Sequence, residues 1–247
     1  MMTNMVDIHC HMLNEVDDGS YSLENSLEMA ALSVESGVSD VICTPHSIPG
    51  MFENYAGEEL YERFETFKAA VKSEGIPLNV YLGMEVYGND NTAEDLKNRR
   101  LVPLAGSRYM LIEFNFGADP RIVNYILEDV ADCGYTPVIA HPERYDFVAQ
   151  RPAILYKWAD KGYLMQGNKD SIRGKFGRMV YRICMDMLAD GLYSFIGSDA
   201  HGALHRTPFL EYAFNDVEDK FGTDYAVKLF CDNPRKILRN EDIFIDD

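Results

Sequence analysis

A chain of 247 residues, 47% of them hydrophobic, can bury one sizeable core and is expected to form a single domain over 1–247. Its 40 acidic and 23 basic residues leave a formal net charge of −17, which repels nucleic-acid backbones and anionic membrane surfaces and argues against both as partners. Five cysteines without a CxxC pair indicate neither a disulfide framework nor a thiolate zinc site, and no apolar run approaches the roughly 18 residues of a membrane span, so a cytoplasmic protein with reduced thiols is expected.

Short apolar runs alternate with longer amphipathic segments from the N-terminus onward. A strand is predicted at 5–9 and a helix at 22–36, then strand 40–44, helix 58–73, strand 79–85, a short helix near 93–99 and strand 109–114. Helix 120–133 with strand 137–140, helix 152–161 with strand 163–166, and helix 176–190 with strand 194–197 complete the alternation. The close of the chain reads as helical, Thr207-Pro208 and Asn233-Pro234 each offering an N-cap followed by proline. Repeated βα units predict a mainly parallel sheet covered by helices, and seven in series suit a closed or distorted barrel better than an open sheet.

The six histidines are His9, His11, His46, His141, His201 and His205, and most follow a predicted strand. In α/β barrels the carboxyl ends of strands face one shared site. His9 and His11 lie two apart, so both rings project from one side of a strand and can reach the same ion. Further strand ends carry Thr44-Pro45-His46, Gly83-Met84-Glu85, Ile112-Glu113, Ala140-His141 and Ser198-Asp199-Ala200-His201, while Asp17-Asp18-Gly19 follows the first strand. A lone histidine is more often structural than ligating, but a series of buried carboxylates needs compensating cations, and metal ions meet that need inside an acidic chain. Imidazole and carboxylate donors suit manganese, iron or zinc.

The D-x-H-x-H of Asp7 to His11 and the S-D-x-H of Ser198 to His201 resemble the PHP (polymerase and histidinol phosphatase) family of phosphoesterases. Within it, Asp17-Asp18-Gly19, Thr44-Pro45-His46, Gly83-Met84-Glu85, the run 111–114, the run 136–145 and Asp232-Asn233-Pro234-Arg235-Lys236-Ile237 look like the bacterial CpsB/YwqE tyrosine-protein phosphatases, nearly end to end. The resemblance implies an α/β distorted (β/α)7 TIM-like barrel and three divalent metals, often manganese. One ion would take His9, His11, Glu85 and Asp199; Glu85 would bridge to a second held by Glu113 and His141; Asp18, His46 and His201 would hold the third. Spacing leaves Asp17 and Asp18 open, and only the family pattern favours Asp18. Arg144 occupies the arginine of the family's H-x-E-R motif and Arg206 matches a second family arginine, both implied to bind phosphate oxygens.

The chemistry so implied is attack on phosphorus by a water that two cations acidify, with no protein nucleophile. No cysteine is followed six positions later by an arginine, and no Gly-x-x-x-x-Gly-Lys-Ser/Thr loop is present. Cys10 reads as packing, His205 as a leaving-group acid or a plain loop residue, and 51–55 as a loop near the site. The biological role the resemblance implies is dephosphorylation of the tyrosine-bearing tail of a membrane-associated tyrosine autokinase that regulates capsular or extracellular polysaccharide assembly. The alternatives are histidinol-phosphate phosphatase or another small-molecule phosphomonoesterase, an exonuclease-like enzyme, which the charge disfavours, and a non-catalytic metal-binding module.

Overall fold

In the computed structural model, which describes residues 4–244, the first apolar run becomes β1 (Met5–Cys10), every residue of it buried. Ser22 starts α1 (Leu23–Glu35) by accepting a hydrogen bond from the Asn25 N–H, an otherwise orphaned helix donor. Gly37, at a φ of 89°, turns the chain directly into β2 (Val38–Cys43). A hairpin of β3 (His46–Ile48) and β4 (Phe52–Glu53) precedes α2 (Glu58–Ser73), which buries Leu60, Phe64, Phe67 and Val71 along one stripe. Then come β5 (Asn79–Leu82), β6 (Glu85–Tyr87), α3 (Thr92–Lys97), β7 (Tyr109–Glu113) and α4 (Pro120–Asp132), capped by Asp119 with Pro120 in its first turn. The chain continues through β8 (Thr136–Ala140), α5 (Asp146–Gln150), α6 (Ala153–Asp160), β9 (Leu164–Asn168), α7 (Lys169–Ile172) and α8 (Arg178–Ala189). β10 (Phe195–Gly197), α9 (Glu211–Phe221), α10 (Thr223–Val227) and α11 (Asn233–Leu238) complete it.

This mixed α/β chain pairs β1, β2 and β5 in parallel, and arranges β10-β9-β8-β7-β6-β3-β4 as a second sheet, parallel except for the β3–β4 hairpin. β2 runs into β3 across Thr44-Pro45 and β5 into β6 across Gly83-Met84, with backbone bonds from Gly83 N–H to Cys43 O at 2.9 Å and from Glu85 N–H to Pro45 O at 3.1 Å. At the far side β1 meets β10: the Asp199 N–H donates to His9 O and the His11 N–H to Ala200 O, each at 2.8 Å. Val6, Ile42, Leu111, Val138, Leu164 and Phe195 form one apolar cluster drawn from strands of both sheets.

Several boundaries differ from the sequence reading. The run expected as one strand over 79–85 is split at Gly83, where a Cβ would stand 3.0 Å from the side chains of Ile42 and Leu104. Glu85 therefore opens β6, and His46 likewise opens β3; neither ends a strand. The 51–55 segment contains β4. Thr207-Pro208 starts no helix: the chain forms a loop there, closed by the His201 N–H donating to Arg206 O at 2.9 Å, and α9 waits until Glu211. At Asn233-Pro234 helical structure is already running through Lys228–Asp232, so Asp232, not Asn233, takes the cap position. None of the described helices is long and apolar enough to cross a membrane.

Candidate metal centre

The end of β1 puts His9 and His11 on one side of the chain, fully buried, their Nε2 atoms 3.2 Å apart. Glu85, the first residue of β6, aims Oε2 at both of them (3.1 Å each) and at His46 Nδ1 (3.2 Å), while its Oε1 lies 3.1 Å from His141 Nε2. Glu113 closes β7 with Oε1 2.9 Å from His46 Nδ1 and Oε2 4.0 Å from His141 Nε2. Asp199 Oδ1 is 3.5 Å from His9 Nε2 and 3.6 Å from His11 Nε2, and Asp18 Oδ1 is 3.5 Å from both His46 Nε2 and His201 Nε2. His141, just past β8, and Asp199, just past β10, adopt left-handed φ values of 36° and 49°, a strained backbone for non-glycine residues that functional sites concentrate.

Each of the nine residues that the sequence singled out as ligands thus reaches this cluster. Among the described residues, three sets have ligand atoms within 4.8 Å of one another: His9, His11, Glu85 and Asp199; His11, Asp18, His46 and His201; and His46, Glu85 and Glu113. The last set draws in His46 where the resemblance implies His141, whose Nε2 sits nearer Glu85 than Glu113.

The electrostatics are those of a donor set that wants cations. Burial alone would lower the pKa of His9, His11 and His46, yet neighbouring carboxylates, Glu85 for all three and Asp17 for His11, reverse it and hold them above the ordinary imidazole range. Burial would raise Glu85 and Asp199, but His9 together with His46 and Arg206 respectively keeps both carboxyls low. Interaction with His201 is the main reason Asp18 sits at about 2. The Nδ1 atoms of His46 and His141 are buried without a hydrogen-bond partner, although His46 Nδ1 has carboxylate oxygens within 3.2 Å. Lone pairs and anions converging in this way fit divalent ions with mixed nitrogen and oxygen ligation.

Around the cluster lie Asp17, which the sequence left open as a ligand, and two residues that the sequence reading did not single out, Gln166 and Asn168. Asp17 holds His11 Nδ1 at 2.8 Å, Gln166 Oε1 holds His9 Nδ1 at 2.8 Å, and Asn168 Nδ2 donates to Asp199 Oδ2 at 2.7 Å. Such contacts fix ring tautomers and carboxylate orientation. The strand-end rule also covers Asn168, which closes β9, whereas Gln166 lies in the middle of that strand. Both arginines reach Asp199, Arg206 at 2.7 Å and Arg144 at 3.3 Å. His205 is exposed on the 201–206 loop. Cys10 is fully buried in the apolar core, where burial pushes its thiol well above the ordinary range.

The family described as "Capsular polysaccharide synthesis, CpsB/CapC" matches residues 5–239. The tyrosine-protein phosphatase YwqE of Bacillus subtilis (strain 168) is 35% identical over 240 residues, 97% of this chain and 94% of the relative. The tyrosine-protein phosphatase CpsB of Streptococcus pneumoniae is 32% identical over 242 residues, 96% of this chain and 99% of the relative. A crystal structure from work on YwqE and CpsB, described as unique metal-dependent tyrosine phosphatases, superposes with a TM-score of 0.92 at 34% identity, covering 98% of this chain and 97% of that one.

Proposed function

The chain belongs to the CpsB/CapC family of capsular polysaccharide synthesis, and from that membership we propose how its buried centre carries out the family's reaction, the hydrolysis of phosphotyrosine on protein. It is a tyrosine phosphatase, a phosphoric monoester hydrolase. The observation that carries the site assignment is the convergence of His9, His11, Asp18, His46, Glu85, Glu113, Asp199 and His201 into three overlapping donor sets, two of which share Glu85, with His141 Nε2 3.1 Å from the same carboxylate. These residues would hold three divalent ions, manganese being the preferred identity with iron and zinc as the alternatives. Bound there, the ions supply Lewis acidity to the ester and make water acidic enough to act as nucleophile at neutral pH.

The chain's own residues do the rest. Arg144 and Arg206, both anchored on Asp199, offer planar guanidinium forks to the non-bridging phosphate oxygens as charge shifts in the transition state. Gln166, Asp17 and Asn168 hold their partners His9, His11 and Asp199 in fixed orientation. Phenolate, with a reference pKa of about 10, leaves with less acid assistance than an alkoxide, so the exposed His205 is not needed as an acid. Burial raises the Cys10 and Cys43 thiols and leaves neither suited to act as nucleophile.

The wider reading is a distorted (β/α)7 barrel in one domain, supported by the β1–β10 backbone bonds and by an apolar cluster fed from both sheets. The substrate is proposed to be the phosphotyrosine tail of a membrane-associated tyrosine autokinase, met in the cytoplasm, a compartment that suits the five free cysteines. The test is phosphate release from a tyrosine-phosphorylated peptide and from histidinol phosphate, in parallel, by chelated protein resupplied with manganese, iron or zinc. Metal-dependent preference for the peptide is expected, with Cys10→Ser retaining the parental rate. Preference for histidinol phosphate, or full activity after chelation, would overturn the proposal.

A further inference from the structure

We propose that Phe116 and Phe176 are positioning residues for this reaction, two aromatic rings that confine the Arg144 guanidinium in the orientation that receives the phosphate. The inference rests on the phosphatase reading above. The Arg144 Cζ lies 4.6 Å from the Phe116 ring centroid and 4.3 Å from that of Phe176, both well inside the roughly 6 Å range of a cation–π contact. Its carboxylate tether is the weaker constraint. The Arg144–Asp199 hydrogen bond is 3.3 Å long, while the same carboxylate is engaged at 2.7 Å by Asn168 on Oδ2 and at 2.7 Å by Arg206 on Oδ1. One long bond leaves a flexible side chain free to swing; stacking on two rings removes that freedom before substrate arrives.

Both rings are mounted on secured backbone. Phe116 follows β7, where its carbonyl accepts from the Asp146 N–H at 2.9 Å and the next residue, Gly117, donates to Asn115 Oδ1 at 2.9 Å. Phe176 sits between α7 and α8 in a turn flanked by Gly174 and Gly177, at φ values of 72° and 91°, and tied down by Lys175 N–H to Asp170 O at 3.0 Å. Phe116 is 41% exposed, so burial in the core does not account for its position; besides Arg144 it meets His141, edge-on at 6.1 Å, and the ring of Tyr145 at 6.2 Å. Phe116 therefore joins the arginine to the wall of the proposed metal cluster, and Phe176 closes on the guanidinium as a second ring.

The experiment compares Phe116→Leu, Phe176→Leu, Phe116→Tyr and Phe176→Tyr, and both leucine changes in an Arg144→Ala background, all as metal-loaded protein with metal content and thermal midpoint recorded. Two readouts are used: kcat/KM on a phosphotyrosine peptide and the affinity for inorganic phosphate measured by calorimetry. Each leucine change should weaken both by ~3–10-fold while metal content holds, and each tyrosine change, which keeps the π face, should stay within ~2-fold of the parent. In the Arg144→Ala background the leucine changes should cost less than ~2-fold, because the group they position is gone. Leucine variants of an active parent with unchanged phosphate affinity, or with losses that multiply in full on Arg144→Ala, would overturn the positioning role alone. A parent that releases no phosphate from the peptide would remove the phosphatase reading itself.

Discussion

Asp17 and Asp18 are neighbours with opposite fates. Asp17 is spent on the protein: Oδ2 holds His11 Nδ1 at 2.8 Å and accepts from the His46 N–H at 2.9 Å, and Oδ1 accepts from the Gly19 N–H at 2.9 Å. The Asp18 side chain is 54% exposed, with Oδ1 facing His46 and His201. Asp18→Asn should therefore lose bound metal, whereas Asp17→Asn should keep the stoichiometry but bind ~10–100-fold more weakly through a misoriented His11. Elemental analysis beside a metal titration separates the two, and equal loss of stoichiometry in both variants would sink the distinction. Adjacent carboxylates cannot be told apart by spacing. What decides is Gly19, where a Cβ would stand 2.3 Å from His11 O, so that the 17–19 turn folds tightly under the histidine. Positions such as His11, Glu113 and His141 were legible because residue type and strand context agree there, but the contact that Gln166 makes depends on which atoms point where.

At the level of elements, the expectation that candidate ligands stand at the ends of strands matches the places of His11, Glu113, His141 and Asp199 and not those of His46 and Glu85, which open β3 and β6. Periodicity cannot see the break at Gly83-Met84, which lies inside an apolar run, nor β3 after Thr44-Pro45, whose three residues are too few to show an alternation. Two elements make separate predictions. Gly197 ends β10 against β1, where a Cβ would come within 2.9 Å of His9 Cβ and 3.0 Å of Gln166 Nε2. Gly197→Ala should cost about 1–3 kcal/mol by overpacking, read as a lower thermal midpoint; an unchanged midpoint would mean that the two strands have room to spare. In α7, Lys169 and Asp170 form a buried pair at 3.1 Å, with Lys175 adding 2.8 Å from outside. Burial lowers the Lys169 pKa, while Lys169 and Lys175 outweigh burial at Asp170 and hold its carboxyl low. Asp170→Asn strands the lysine and should destabilise by about 3 kcal/mol at neutral pH. Because Asp170 is depressed in the fold, its contribution is full above the ordinary carboxylate pKa and is lost as pH falls through the lowered value. The gap between parent and variant should accordingly close in acid unfolding experiments, and a gap independent of pH would assign the loss to packing instead.

Across the whole molecule, the net charge of −17 sets a field that the proposed cationic centre only locally reverses. Beside His46, whose ring stacks on Phe52 at 5.9 Å, lies a cavity of about 470 Å³ lined by Glu15, Glu53, Glu58 and Glu59 with Arg63 as its cation. A phosphotyrosine peptide approaches a chain of net charge −17, so the charges flanking its tyrosine should matter more to encounter than to chemistry. For a peptide with acidic flanks, kcat/KM should rise ~2–5-fold as salt goes from about 20 mM to about 200 mM, because screening shortens the reach of the repulsion to about 10 Å and below. A peptide of the same length with lysine flanks should show the reverse slope, and kcat for both should hold steady, since screening acts on approach and not on the bound phosphate. Loss of metal at high salt would lower kcat for both peptides together and is thereby distinguished. Parallel slopes for the two peptides would show that the acidic surface does not steer substrate, and would confine electrostatic selection to the arginines and the buried cluster.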